Sequence, residues 1–382
     1  MSATQKDLIE KSFVAEKLRD VLYLRKMTAI ELGKRVYFSR QQIFNYLSGH
    51  ALPSRETVES FSKILNVPYE FFTIPYYISN PLKEKSFTYI RKMPINRAFQ
   101  ARVKILSEIF VALAVDCIDF LAIGFPHLSN NPAMKNFYKL EGLIQLKEIN
   151  KIAQEARKTL GLDDGPINDL QRILEYNGFI LSSDYSEREQ SYFNSVLVKL
   201  EKYNLPVILL TAPEKDKKEL QYKLAFELGH LILHEGNPVI REENYITYKE
   251  EAELFANCFL MPIDSYSRDI DSYERDNSNY FWMSEKWNVP YRYTYNHAVK
   301  LELVDRNHIR NRPSELAKEV KYISFFSDKE APGKLSKTIL QFAIESAMNE
   351  LDLEIEGILD ILKKGGVYLY PKEINNLLGF NS

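Results

Sequence analysis

Three capping signals crowd the first 75 residues and leave that stretch few ways to fold. Phe13, Leu18, Val21, Leu22 and Leu24 recur on one helical face. Thr28 then caps a short helix running to Val36, with Glu31 at the capping-box position. Ser39 caps a third helix over Arg40–Leu47, which Ser48-Gly49 stops. Ser54 caps a fourth, in which Thr57, Val58, Phe61, Ile64 and Leu65 are periodic and which ends at Asn66-Val67-Pro68. A last short helix holds Glu70, Phe71 and Phe72.

Five short helices with two close-set caps in the middle make a helix-turn-helix pattern. In the third helix Ile43 and Leu47, four apart, face the core. Arg40, Gln41, Gln42 and Asn45 then stand outward near the helix N-terminus, the part that enters a major groove. Arginine reads guanine O6 and N7, and glutamine or asparagine reads adenine N6 and N7, at about 1–3 kcal/mol of discrimination per good pair. The Ser39 hydroxyl and the helix N-terminus suit a phosphate. These residues point to a double-stranded DNA operator; the plainer alternative is a solvated helical hairpin in a domain that only contacts other proteins. His50, just beyond, reads as a surface residue, with phosphate contact as its alternative.

Residues 13–72 resemble the XRE (lambda repressor-like) helix-turn-helix family. The resemblance is carried by Met27-Thr28, Glu31-Leu32, Ser39-Arg40-Gln41, Ser48-Gly49, Pro53-Ser54 and Leu65-Asn66-Val67. It implies an all-α DNA-binding domain over 1–75. Two positions depart from the family pattern. Ala29 stands where a glutamine usually meets phosphate, and Tyr37 replaces the glycine of the turn, where left-handed backbone is less comfortable.

The whole chain has 382 residues, room for two or three domains. Lys+Arg 50 against Asp+Glu 52 gives a net charge of -2, so there is no global basic field and any nucleic-acid surface must be local. Residues 76–135 read as a basic linker followed by a long apolar helix. Lys83, Lys85, Arg91, Lys92, Arg97, Arg102 and Lys104 face Glu84 alone, which suits either extra phosphate contacts or a solvated face. The helix over 99–123 is apolar nearly all round and must be buried, against the next domain or across a homodimer interface. Its apolar run, Ile105–Phe125, is broken by Glu108, Asp116 and Asp119, so no membrane span is expected. Cys117 and Cys258 are far apart, and Met1–Glu10 carries no signal peptide, so the expectation is a reduced, cytoplasmic protein. Residues 136–310 mix helix and strand signals, and 311–382 read as helices again. The expected fold is mainly α with a small β-sheet (α+β).

Within 136–310 lies Tyr222-Lys223-Leu224-Ala225-Phe226-Glu227-Leu228-Gly229-His230-Leu231-Ile232-Leu233-His234. A zinc helix of the HExxH type places two histidines four apart on one face, with a glutamate beside the first to polarise the metal-bound water. Here Phe226 stands at the first histidine, while Glu227 and His230 remain. A second helix, Glu250–Asn257, followed by Leu260-Met261-Pro262, offers carboxylates on one side.

These two segments resemble the ImmA/IrrE metallopeptidase family. The likeness extends through Ala153–Arg157, Gly165-Pro166-Ile167, Leu174–Gly178, the strand Leu205–Thr211, Trp287–Pro290 and Leu301–Val304. The resemblance implies a zincin-like α+β domain with a helical C-terminal tail. It also implies His230 as a zinc ligand, Glu251 as the acidic ligand and Glu227 as the catalytic carboxylate. The remaining ligand falls on Phe226, and two ligands hold a catalytic zinc poorly. A lost or very weak zinc site is therefore the leading expectation. A shifted set, His230, His234 and Glu251, is a second, and relics hydrogen-bonded in a packed core, with Phe226 filling the vacated volume, are the plain alternative. His297, His308, Cys258 and Cys117 read as structural.

Taken together the readings describe a DNA-binding regulator whose degenerate peptidase-like domain serves as a partner- or signal-sensing module, the protein partner being a repressor, an antitoxin or a phage protein. The rivals are a working metal-dependent endopeptidase that cuts a repressor or antitoxin, and a phage-defence or toxin–antitoxin component acting through protein contacts. The partner groove is expected along the edge of the strand Val207–Leu210, with Glu227, His230 and Glu251 at its floor. The helix between Phe99 and Phe125 is the expected coupling element.

Overall fold

A computed structural model describes residues 13–25, 27–74, 145–183, 195–199, 204–210, 214–234, 245–272, 279–304, 333–352, 354–364 and 368. The basic run 83–104, the apolar helix over 99–123, Cys117 and His308 lie outside the described residues.

The first segment folds as α1 (Ala15–Leu24), α2 (Ala29–Val36), α3 (Arg40–Ser48) and α4 (Arg55–Leu65), then a 3-10 turn over Tyr69–Phe72. Local chemistry sets these limits. Thr28 with Glu31, and Ser39 with Gln42, each close a capping box, and Ser54 Oγ accepts the Thr57 N–H. Helix α2 ends at Tyr37, whose backbone is left-handed at φ 60 although the residue carries a side chain. That conformation costs a non-glycine residue roughly 1–2 kcal/mol, and the ring itself stands in solvent. The caps turn the apolar faces inward: Leu18, Val21, Leu32, Ile43, Val58, Phe61, Leu65 and Phe72 are all buried in one core. Leu47, expected beside Ile43, is only half-buried.

The second body begins with α5 (Leu146–Thr159) and α6 (Leu170–Tyr176). Three strands follow: β1 (Ile180–Ser183), β2 (Ser195–Lys199) and β3 (Asn204–Leu210). Next come α7 (Lys217–Leu233), α8 (Tyr245–Leu260), α9 (Ile263–Ser272), α10 (Asn279–Trp287) and α11 (Tyr291–Lys300). Toward the C-terminus lie α12 (Ile339–Leu351) and α13 (Ile355–Lys364). The sheet order is β1-β3-β2, with β1 parallel and β2 antiparallel to β3. Helix α7 packs on this sheet and against α8, and α8 packs in turn on α5. The fold is mainly α with a small sheet.

The sheet corrects one expectation. Val207 pairs with Ile180 on one side and with Val196 on the other, so β3 is the central strand. Its backbone groups are already taken, and it offers no free edge along Val207–Ile208 to an extended peptide. Among the described residues no helix is long and apolar enough to cross a membrane.

One buried charge ties the helices together. Arg157 of α5 donates to the carbonyls of Asp163 and Gly165 in the following loop and to that of Phe259 in α8. Burial pushes its pKa down to about 10, so it keeps its charge at neutral pH and its donors stay directed at oxygen. Replacing it strands the Phe259 carbonyl in the interior and leaves the two partly covered loop carbonyls without their donor, where an unmet buried group costs on the order of 1–3 kcal/mol. Arg157→Met, which keeps much of the volume, is expected to lower stability by about 3 kcal/mol. The check is the urea midpoint of the full chain; an unchanged midpoint would remove Arg157 as the staple.

Candidate functional site

The N-terminal site is the outer face of α3. Arg40, Gln41 and Gln42 are exposed and Asn45 is half-buried. Their side chains are not equally free. Gln42 Oε1 accepts the Ser39 N–H at 2.9 Å, and Ser39 Oγ accepts the Gln42 N–H at 3.2 Å. Both residues are thus committed to the cap that starts the helix. Gln41 Nε2 donates to Asn45 Oδ1 at 3.1 Å, one turn away. This pairing fixes both amides yet leaves Gln41 Oε1 and Asn45 Nδ2 to face outward, one acceptor and one donor group. The Arg40 guanidinium sits 5.2 Å from the centre of the Phe44 ring, itself 45% exposed. Sequence reading passed over Phe44, although its place four residues after Arg40 puts it on the same outward face. His50 Nδ1 lies 2.6 Å from Ser48 Oγ, within the exposed turn that ends the helix.

The second site is the buried seam between α7 and α8. Helix α7 is buried along most of its length, as a helix between a sheet and another helix must be, and it buries Glu219, Gln221, Glu227 and His230 along with its apolar residues. It carries Lys223, Phe226, Glu227, His230 and His234 at its C-terminal half, with His234 at the cap. Asp216 caps its start by accepting the Glu219 N–H at 2.9 Å. Helix α8 brings Glu251 across the seam.

Three of the expected residues meet as a chain of contacts. His230 Nδ1 and His234 Nδ1 are 2.9 Å apart, and His234 Nε2 is 3.0 Å from Glu251 Oε2. A carboxylate can only accept here, so His234 donates from Nε2 and its Nδ1 becomes an acceptor. His230 must then donate from Nδ1, which leaves its Nε2 as a bare lone pair. That atom is buried and has no hydrogen-bond partner. Burial first, then His234 and Lys223, push the His230 pKa well down and keep the ring neutral. Burial likewise lowers His234, against the pull of Glu251.

Phe226 closes the other side. It is half-buried, and its ring meets His230 edge-on with centres 4.4 Å apart. Lys223, which sequence reading did not single out, lies 3.1 Å from Glu227 Oε1 and 5.0 Å from the centre of the Phe226 ring. The Lys223–Glu227 contact is an ion pair rather than a hydrogen bond, since Glu227 Oε1 is buried without one. His297 is buried and bonded to the Met261 carbonyl at 3.0 Å, with burial lowering its pKa to about 4. Cys258 is buried, its thiol pushed up to about 12 by burial.

At this seam the position of the first expected ligand, Phe226, carries no donor atom. His230 Nε2 is free to bind, but position 226 offers a hydrocarbon ring and Glu251 is engaged by His234. Among the described residues no three His, Cys, Asp or Glu side chains are grouped to hold a metal ion. Catalytic zinc is held by three protein ligands.

Two family models match parts of the chain. Residues 16–72 match the family model described as helix-turn-helix, and residues 184–295 match a peptidase family model described as IrrE N-terminal-like domain. The chain joins a helix-turn-helix domain to an IrrE-like domain. No curated protein matches it. The helix-turn-helix match supports binding to double-stranded DNA, and the IrrE-like match assigns a peptidase-like fold to the second body. Helices α5 and α6 precede the IrrE-like match, but α5 packs on α8 and α6 on α7, so they belong to the same core.

The cap geometry separates roles on α3. Ser39→Ala is expected to destabilise the helix-turn-helix domain by about 1 kcal/mol, whereas Gln41→Ala, on the exposed face, should change stability by less than about 0.5 kcal/mol. Thermal unfolding of the two variants checks the difference; equal effects would mean the cap carries no stability.

Proposed function

We propose that the chain is a cytoplasmic transcriptional regulator that binds an operator through α3, and that its IrrE-like domain senses a protein partner rather than cutting one. The observation behind the first half is the division of labour on α3. Ser39 and Gln42 hold the helix start, which leaves Arg40, Gln41 and Asn45 as the polar groups presented to base edges. In this reading Ser39 and Gln42 meet phosphate through the helix N-terminus rather than bases through their side chains. The observation behind the second half is the Phe226 ring packed edge-on to His230. A ring in that position supplies packing where a metallopeptidase needs a ligand.

The zinc peptidase remains the rival, and one observation favours it: His230 Nε2 is buried without a hydrogen bond, beside the Lys223–Glu227 ion pair. A buried polar atom without a partner is rare in folded proteins, and a ligand of some kind would satisfy it. With Phe226 in place, His230 stands against a hydrocarbon ring.

Two outcomes test the proposal. The operator is first selected from random duplexes. Arg40→Ala, Gln41→Ala and Asn45→Ala are then expected to cost about 1–3 kcal/mol each against it, with relaxed sequence preference. Equal affinity of the triple variant, measured by fluorescence anisotropy at fixed salt, would show that α3 is not the reader. For the second domain, the purified chain should hold less than about one zinc per several chains. Phe226→His should raise that occupancy, because it returns a nitrogen to the face carrying His230. Zinc content by mass spectrometry decides, and chelator-sensitive cleavage of a repressor by the wild-type chain would favour the peptidase.

A further inference from the structure

The short segment before α12 is held in an unusual way. Gly333 and Glu214 exchange both backbone hydrogen bonds, Gly333 N–H to Glu214 O at 3.0 Å and Glu214 N–H to Gly333 O at 2.9 Å. Three residues on, the Gln171 amide engages the main chain of Ser336 with both of its ends. Its Oε1 accepts the Ser336 N–H at 2.9 Å, and its Nε2 donates to the Ser336 carbonyl at 3.0 Å. The Ser336 hydroxyl adds a bond to the same Oε1 at 3.1 Å. Glu175, one turn further along α6, accepts the Ile339 N–H at 2.8 Å.

These contacts address the backbone. Gly333, Ser336 and Ile339 are each bonded through main-chain atoms, as an extended ligand is in a peptide-binding groove. One side chain is selected by absence. A Cβ on Gly333 would run into the Asp216 carbonyl oxygen, so only glycine comes this close. Leu335 is half-buried and packs against the core, while Lys334 and Lys337 point outward to solvent.

The receiving groups also need an occupant. Gln171 and Glu175 are buried on α6, four residues apart and on one face. Burial raises the Glu175 carboxyl to about 7, even with the Ile339 N–H, Arg172 and Gln171 pulling it down. An empty cleft would leave a buried amide and a buried carboxyl without these partners, at a cost of about 1–3 kcal/mol for each group.

We propose that Gln171, Glu175 and Glu214 form a clamp for an extended peptide main chain, filled in cis by residues 333–339, and open to a peptide of the same pattern when that segment is displaced. The pattern is a glycine followed two residues later by an apolar side chain and three residues later by a serine. The tether explains why the site is full: a covalently linked segment is present at an effective concentration near the millimolar range, which a free peptide must exceed. The clamp rests on its own contacts with residues 333–339, so it holds or fails independently of the function proposed above.

The test uses the full chain and a labelled peptide covering residues 331–340. Wild type should bind the probe at least tenfold more weakly than Gly333→Val, in which the added side chain expels the cis segment. Adding Gln171→Leu to Gly333→Val should cut that binding tenfold or more, and a probe carrying valine at its glycine should not bind. Ser336→Pro, which removes one N–H without adding bulk against Asp216, serves as a second route to the open clamp. Folding of each variant is checked by helix content in circular dichroism. A folded Gly333→Val or Ser336→Pro chain that ignores the probe would overturn the clamp. So would binding insensitive to Gln171→Leu, which would place the peptide elsewhere. If both single variants unfold, the segment is part of the core and the proposal fails.

Discussion

Gly229 lets two helices touch. A Cβ at that position would lie 2.9 Å from Cδ1 of Phe255, so α7 and α8 can approach as they do only because the residue has no side chain. From this contact the second body is assembled. Glu251, Phe255 and Phe259 recur every four residues on one face of α8, so seating Phe255 against Gly229 also fixes the other two. Glu251 is carried to His234 on one side, and Phe259 stacks on Phe255 and offers its carbonyl to Arg157 on the other. A small residue in a crowded seam therefore positions a polar chain at one end and a buried cation at the other.

The polar chain shows what that closeness costs. In a medium of low dielectric a satisfied network is strengthened and an unsatisfied atom is penalised. His234 and Glu251 satisfy each other, and His230 is satisfied at Nδ1 only. The unmet Nε2 and the Glu227 oxygen that Lys223 faces both fall on the stretch of α7 where Phe226 presents hydrocarbon. With a ring at position 226, Glu227, His230, His234 and Glu251 are still brought together. They are held by packing that does not depend on a metal: Leu228 and Leu231 are buried on either side of His230 along the same helix.

Much of the first domain was legible because its determinants are local. Thr28, Ser39 and Ser54 start their helices where cap chemistry requires, and Tyr37 adopts the left-handed turn even though a glycine would be easier there. The face of α3 was legible as periodicity, since Ile43 is buried while Arg40, Gln41 and Gln42 are exposed. What each outward residue is free to do was less so. The same capping rule that located the helix removes Ser39 and Gln42 from side-chain readout, and Phe44 emerges as a neighbour of Arg40 only when ring and guanidinium are placed.

The sequence by itself determined the helix limits, the apolar faces, the order of the two domains and the residues of the α7 motif, because caps, periods and spacings act over a few residues. Tertiary structure alone decided the rest. That Val207 is paired on both sides, so that no edge is free there, depends on β1 and β2 arriving from elsewhere in the chain. That His230, His234 and Glu251 meet in one chain of contacts depends on how closely α8 approaches α7. That Gln171 grips Ser336 joins residues 165 positions apart. Each is a contact between segments distant in sequence, and such contacts are set by packing and by the need to satisfy buried polar atoms, neither of which leaves a local period to read.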